Sequence, residues 1–177
     1  MGTDEFALEV SNLHWLEAGD PRDDLCAHGS VYVRIGAETL VTHDDHDEWT
    51  LSAGSLYLLR ALLRDHTPDH RVGEHLIPCC GFNMWVDDQG DLLILGCPNG
   101  VDWSVRHLDS EVKLESPSGT SVMVSEQAWR DAVLEVADAV RAFYRSSPPR
   151  RVPKEAASLE GYEAFWSEWD RLRDAAS

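Results

Sequence analysis

The sequence has no apolar run approaching the ~20 residues that a membrane-spanning helix needs. Its first residues, Met-Gly-Thr-Asp-Glu-Phe, are acidic and lack the apolar core of a secretory signal. We therefore expect a cytoplasmic protein. Because thiols stay reduced in that compartment, we expect the four cysteines to be free rather than paired in disulfides.

Familiar catalytic motifs are also missing. The chain has no C-x-x-C pair, no Walker loop, no glycine-rich dinucleotide loop and no G-x-S-x-G elbow. The polar run from His43 to Glu48 does not reproduce the H-E-x-x-H zinc motif. Pro68 stands between His66 and His70, so these histidines do not share a helix face. These absences favour a binding protein over an enzyme.

Basic residues are scarce, with 15 Lys and Arg against 32 Asp and Glu, which leaves a formal net charge of −17. Such a charge repels nucleic-acid phosphate and anionic lipid, so we expect neither a nucleic acid nor a membrane as a partner. A basic protein is the partner that this charge favours. Two acidic clusters are the candidate contact residues: Asp44, Asp45, Asp47 and Glu48 in one, and Asp87 and Asp88 in the other.

The chain does contain enough apolar sequence for a core. Its 177 residues are 43% hydrophobic and include seven tryptophans, which suits one domain over residues 1–177. We predict N-terminal strands and a helix within 6–66, a central meander over 82–124, and helices at 125–146 and 159–173. The fold class is α+β, with an antiparallel meander sheet of about five to seven strands packed by two or three helices.

Periodicity supports these boundaries. Alternating apolar residues predict a strand at 6–16 with a bulge near Ser11, and helical spacing predicts a helix from Leu51 to Asp65 capped by Thr50 or Ser52. Residues 92–95 are apolar on both faces, which predicts a central strand covered on each side. Pro98-Asn99-Gly100 predicts a hairpin.

Two C-terminal helices complete the predicted architecture. Ser125 is placed to cap the first of them, whose apolar stripe indicates packing on the sheet. The second carries an aromatic stripe, Tyr162, Phe165, Trp166 and Trp169, which predicts either docking on its own domain or an exposed partner site.

Thiols and imidazoles concentrate in one segment of the chain. His75, Cys79, Cys80 and Cys97 are the candidate zinc ligands, with His107 as a further imidazole. Neighbouring residues of a strand point to opposite faces, so Cys79 and Cys80 can share a metal only if the backbone bends at Pro78 to Gly81. Cys80 is also a candidate nucleophile beside His75 or His107. Simple packing of small thiols in the core is the remaining interpretation.

Three blocks of the chain resemble a family of small, uncharacterised bacterial proteins. They are His75-Leu-Ile-Pro-Cys-Cys-Gly81, Gly96-Cys-Pro-Asn-Gly-Val-Asp-Trp103 and Gly161-Tyr-Glu-Ala-Phe-Trp-Ser-Glu-Trp169, joined by the ending Phe-Tyr-x-x-Ser-Pro-Pro at residues 143–149. The resemblance covers most of the chain but implies no residue roles. In size, charge and α+β build the chain is also similar to immunity proteins of bacterial toxin systems, by analogy alone.

The sequence therefore favours a non-enzymatic acidic binding protein, of the immunity type, that masks a basic protein partner and needs no cofactor. The alternative is a thiol- or zinc-dependent enzyme centred on Cys79, Cys80, Cys97 and His75. A scaffold domain with no ligand of its own is a third hypothesis.

Overall fold

The computed structural model describes residues 5–16, 19–45 and 48–177. Its first part contains β1 (Phe6–His14), a short 3-10 turn (Pro21–Asp23), β2 (His28–Ile35), β3 (Glu38–Val41), β4 (Trp49–Thr50) and α1 (Leu51–Ala61). The central part contains β5 (Ile77–Pro78), β6 (Asn83–Val86), β7 (Leu92–Leu95), β8 (Gly100–Val101), β9 (Ser104–Leu108), β10 (Glu111–Glu115) and β11 (Ser121–Ser125). Two helices follow, α2 (Glu126–Ser146) and α3 (Ala156–Ala175).

These strands pair antiparallel in four small sheets. One sheet has the order β1-β2-β3, with β4 also paired to β2, and another has the order β11-β10-β9. The remaining two are the pairs β5-β8 and β6-β7. The predicted α+β class is confirmed, whereas a single meander of five to seven strands is not, because the central strands divide among three of these sheets.

The predicted hairpin at Pro98-Asn99-Gly100 does not form. The strand that follows it, β8, pairs with β5 through Ile77↔Val101 and Pro78↔Gly100, not with β7. The Asn99 carbonyl accepts a hydrogen bond from the Cys79 amide at 3.1 Å. An Asn-Gly pair permits a tight turn, but here the hydrogen bonds of an earlier segment of the chain decide the pairing.

Helix α1 lies at the centre of the molecule, and all eleven of its residues are buried. A helix that is buried on every side needs partners all round, and α1 packs against α2, α3, β2 and β5. The predicted cap is wrong, because Thr50 makes no capping hydrogen bond and the Ser52 hydroxyl instead accepts from the Ala27 amide at 2.8 Å. The helix ends at Ala61 rather than at Asp65.

The C-terminal helices match the predicted pattern closely. The Ser125 hydroxyl accepts from the Ala128 amide at 3.1 Å and so caps α2, which buries Trp129, Val133 and Val140. Helix α3 is docked rather than free, because Phe165 and Trp169 are both buried. Of the helices in the described part of the chain, none is both long and apolar enough to cross a membrane.

Buried thiol and phenol groups predict a loss of stability at high pH. Burial raises the pKa of the Cys26 thiol to about 12, and burial also raises that of Tyr144 well above its ordinary value. A group with a raised folded pKa stabilises the fold below its unfolded pKa, and this contribution is lost as the pH rises toward the folded value. Because of the raised Cys26 pKa, we expect the free energy of unfolding to fall by about 2 kcal/mol as the pH rises from 9 to 10.5.

Urea unfolding measured at several pH values tests this expectation. In Cys26→Ala the decline between pH 9 and 10.5 should become shallower, although the variant is less stable overall. An equally steep decline in Cys26→Ala would assign the effect to the tyrosines alone.

Candidate functional site

Two short segments bring the clustered cysteines together. The β5–β8 ladder continues beyond Pro78, where the Cys79 amide donates to the Asn99 carbonyl and the Cys97 amide donates to the Cys80 carbonyl, both at 3.1 Å. The chain on either side of the β6–β7 hairpin therefore runs antiparallel in direct contact. Cys79 and Cys80 lie on one segment and Cys97 lies on the other.

Glycine makes this close approach possible. A Cβ atom on Gly81 would lie 2.3 Å from the Gly96 Cα, and one on Gly96 would lie 2.7 Å from the Cys80 carbonyl oxygen. Gly81 also has a φ of +96°, which side chains other than glycine rarely adopt. The backbone turn at Gly81 provides the bend that two neighbouring cysteines need in order to direct their sulfurs to one point.

The three sulfurs form a compact cluster. The Sγ atoms of Cys79, Cys80 and Cys97 all lie within 4.8 Å of one another. Cys79 and Cys97 are joined by a disulfide, with their Cα atoms 6.8 Å apart, while Cys80 is free and exposed. The expectation that all four cysteines are unpaired is therefore wrong for this pair, because the crossing of the two segments holds these thiols at bonding distance.

The candidate histidines lie outside this sulfur cluster. Neither His75 nor His107 belongs to the group of metal-binding side chains formed by the three cysteines, among the residues that the structure describes. His107 Nε2 instead lies 3.0 Å from the Ala61 carbonyl at the end of α1. His75 Nδ1 is buried, with no hydrogen-bond partner in the described chain.

The cluster supports two kinds of chemistry. A free thiol beside a disulfide can attack it and exchange partners, since thiol–disulfide exchange needs only a thiolate with access to a sulfur. In the reduced protein the same three sulfurs are soft ligands of the type that zinc prefers. Cys80 is exposed, so a thiol, a disulfide or a zinc ion in solution can reach its sulfur.

One carboxylate of the first acidic cluster, that of Asp45, forms hydrogen bonds within its own loop. The Asp45 carboxylate accepts from the Thr42 amide at 2.6 Å and from the Thr42 hydroxyl at 3.0 Å, and these bonds hold the pKa of Asp45 below its ordinary value. Asp44 and Glu48 are exposed. Asp47 was also predicted here and lies outside the described residues.

The second acidic cluster lies at the turn of the β6–β7 hairpin. Asp87 Oδ1 accepts from the amides of Gln89 and Asp91, both at 2.9 Å, so this carboxylate shapes the turn. Asp88 is exposed, and so is Asp91 at the other end of the turn. Three carboxylates thus stand at one end of the hairpin.

The β6–β7 hairpin has one covered and one uncovered face. Met84, Leu92 and Ile94 are buried, and β6 packs so closely on α3 that a Cβ on Gly161 would lie 2.6 Å from the Met84 carbonyl oxygen. The opposite face is open, and its exposed large apolar side chains are Trp85 (39%), Leu93 (41%) and Leu95 (55%). Trp85 and Leu93 are directly paired across the two strands.

This open face overturns the prediction that residues 92–95 form a central strand covered on both sides. The strand β7 pairs only with β6 in the described sheets, and α3 covers a single face of the pair. Sequence reasoning missed the three residues of the open face. The signal that could have found them is the all-apolar run Leu92–Leu95, because such a run also fits a strand with one buried face and one exposed apolar face.

A buried polar network supports the loop that leads into the cysteine segment. His66 Nδ1 accepts from the Val72 amide at 3.2 Å, so Nε2 carries the proton and donates to Asp102 at 2.8 Å. Asp102 also accepts from the Leu76 amide at 3.0 Å. His66 is fully buried and the Asp102 side chain is only 14% exposed. Their role here is to hold the loop 65–76 against β8.

Comparisons with known proteins provide no family. No protein-family model matches this chain, and no curated protein or solved structure is significantly similar to it. The resemblance to small bacterial proteins stays a prediction.

Proposed function

We propose that this chain is a non-enzymatic acidic binding protein that docks a basic protein partner through the open face of the β6–β7 hairpin. The observation that carries the proposal is the juxtaposition of Trp85, Leu93 and Leu95 with the carboxylates of the hairpin turn. We call the three apolar residues the docking face.

The docking face has the composition of an interface centre. Trp85 offers a large, rigid apolar side chain of the type that dominates binding energy in many complexes. Leu93 and Leu95 extend the apolar surface along the neighbouring strand. Exposed apolar patches with a polar rim are frequent at sites where a protein binds a partner.

The charge of the chain indicates which partner this face suits. Asp87, Asp88 and Asp91 stand at the end of the hairpin, and the whole chain carries −17 formal charges. A negative field of this kind accelerates encounter with a cationic protein and repels an acidic one. An apolar patch rimmed by carboxylates therefore fits a partner whose apolar contact is surrounded by Lys and Arg.

The same arrangement is compatible with the immunity-type role that we propose. A protein that masks a basic toxin surface needs excess negative charge and an anchor, and both are present at the hairpin. Such a role belongs in the cytoplasm, where the toxin would act.

The effect of Trp85→Ala on partner binding tests the proposal. The probe is the purified protein encoded by the gene adjacent to this one, with affinity measured by calorimetry at low and physiological salt. We expect Trp85→Ala to weaken binding at least about 30-fold, the equivalent of ~2 kcal/mol for the loss of a central aromatic anchor. Affinity for the unaltered protein should fall as salt rises.

Met123→Ala is the matched control, since Met123 on β11 is exposed to a similar extent as Trp85 but lies in a different sheet. This variant should bind normally. Absence of binding at low salt, or equal affinities for Trp85→Ala and the unaltered chain, would contradict the proposal.

The sulfur cluster supports a second candidate, a thiol- or zinc-dependent enzyme centred on Cys79, Cys80 and Cys97, without the predicted His75, which lies outside the cluster. What favours it is the proximity of the three sulfurs within 4.8 Å. The two candidates use different parts of the molecule, so the metal chemistry can be tested without reference to the docking face.

A further inference from the structure

We infer that Cys79, Cys80 and Cys97 form a three-thiolate zinc site in the reduced protein, and that the Cys79–Cys97 disulfide is the oxidised, metal-free state of the same site. The inference is independent of the proposed partner binding. It rests on the geometry of the two crossing segments and on the chemistry of the three donors.

The geometry is close to what a zinc ion needs. Zn–S bonds of about 2.3 Å place two ligand sulfurs of a tetrahedral site about 3.8 Å apart. The three sulfurs already lie within 4.8 Å of one another, so each has a short distance to travel. Once the disulfide is reduced, its two sulfurs have to separate by less than about 2 Å, which side-chain rotation alone can supply.

The backbone around the site is held in place before any metal arrives. The paired hydrogen bonds between residues 79–80 and 97–99 fix the relative position of the three Cα atoms, and Gly81 and Gly96 keep the segments in contact. A preformed backbone lowers the ordering cost of ligation. Cys79 and Cys80 would otherwise point apart, as neighbours in an extended strand do.

The donor set selects the metal class. All three side chains in the group are thiols, and the group contains no carboxylate among the described residues. Calcium and magnesium require oxygen ligands, whereas zinc binds thiolates strongly. The exposed position of Cys80 leaves the fourth coordination position to water. His75, whose ring nitrogens lie outside the group, is not required.

The two states interconvert by a balanced redox reaction. A thiol reductant such as glutathione transfers two electrons and two protons to the Cys79–Cys97 disulfide, which becomes two thiols, while the reductant forms its own disulfide. Zinc then binds the three sulfurs and displaces their three protons to solvent. A disulfide oxidant reverses the process: it takes two electrons from the ligating thiolates, the Cys79–Cys97 bond reforms and the zinc ion leaves.

Metal content of the full-length chain is the direct test. The chain is reduced with a phosphine under anaerobic conditions, loaded with Zn²⁺, freed of excess metal and analysed for zinc. We expect one equivalent of zinc per chain, and its release when diamide is added. Substitution with Co²⁺ should give the near-ultraviolet thiolate-to-cobalt absorption. Absence of both the zinc and that absorption would overturn the inference.

Single variants assign the ligands. Because Cys80 is exposed, Cys80→Ser should fold normally by circular dichroism, and we expect its zinc affinity to fall at least about 100-fold, the upper range for loss of a supporting residue of a metal site. Cys26→Ala removes the buried cysteine and should keep full zinc content, as should His75→Ala. Unchanged zinc affinity in Cys80→Ser would overturn the three-thiolate site, and loss of zinc in His75→Ala would overturn the open fourth position.

The outcome is separable from the proposed function. A zinc-loaded chain that fails to bind the basic partner leaves the metal site standing and removes the docking proposal. A reduced chain that takes up no zinc but binds the partner through Trp85 removes the metal site and leaves the docking proposal standing.

Discussion

Glu168→Ala is expected to lower the free energy of unfolding by about 3–5 kcal/mol, because it leaves a buried guanidinium without its counter-charge. Arg60 on α1 is only 8% exposed and donates to both carboxylate oxygens of Glu168 on α3, at 2.7 and 2.8 Å. Removal of one partner from a buried pair costs far more than the pair contributes relative to apolar residues.

The same arginine ties several parts of the fold together. Its remaining donors reach the Val72 carbonyl at 2.8 Å and the Leu92 carbonyl at 3.1 Å. Arg60 thus joins the loop before β5, the strand β7 and helix α3. Hydrogen exchange in Glu168→Ala should show faster opening of β7 than of β10.

Asp138→Ala is the matched control for this prediction. It breaks the Arg173–Asp138 pair, which has similar bidentate geometry but is far more accessible to solvent, with side chains 31% and 53% exposed. Exposed pairs contribute less than about 1 kcal/mol, so urea unfolding of this variant should differ little from that of the unaltered chain. Equal losses in the two variants would show that Arg60 is solvated in solution.

Trp169→Ala is expected to cost about 3–5 kcal/mol of unfolding free energy, the range for truncation of a large buried aromatic residue. Trp169 is buried on α3, with its ring 5.6 Å from that of Phe165 and 5.3 Å from that of Trp166. The cavity would remove much of the surface that holds α3 in place. Because α3 supports β6, the hairpin should also become more mobile.

Trp85→Ala provides the comparison, since it is the same chemical change at the open face of the hairpin. We expect its unfolding free energy to fall by less than about 1 kcal/mol, because a surface side chain is removed without leaving a cavity. Both variants can be measured by urea unfolding followed by circular dichroism. Comparable losses would mean that Trp85 is packed, which would also weaken its assignment to partner binding.

The long periodic elements were predictable from the sequence, and the pairings of the short strands were not. The stripe from Trp129 to Val140 and the cap at Ser125 depend on neighbours within a few turns, so the boundaries of α2 follow from local chemistry. The strand β8 has two residues, and its partner β5 lies more than twenty residues earlier in the chain. No local pattern specifies such a pairing.

The candidate site divides in the same way. The residues Cys79, Cys80 and Cys97 could be selected from the sequence because thiols are rare and close together in it. Their meeting depends on Gly81 and Gly96, which let two backbones touch, and the resulting disulfide was not expected from composition. The contact between His66 and Asp102 could not be read from the sequence, because the two residues are 36 positions apart and meet only in the folded chain.

The sequence by itself determined the charge of the protein, the absence of familiar catalytic motifs and the course of its C-terminal helices, since each depends on composition or on contacts between near neighbours. The tertiary structure alone decided that these three sulfurs meet, with Cys79 and Cys97 bonded, and which face of the β6–β7 hairpin stays open. Both outcomes depend on packing between segments far apart in the chain: the crossing at the glycines, and α3 against one side of the hairpin. A run such as Leu92–Leu95 records apolar character, and only the neighbour that packs on it determines which of its side chains reach solvent.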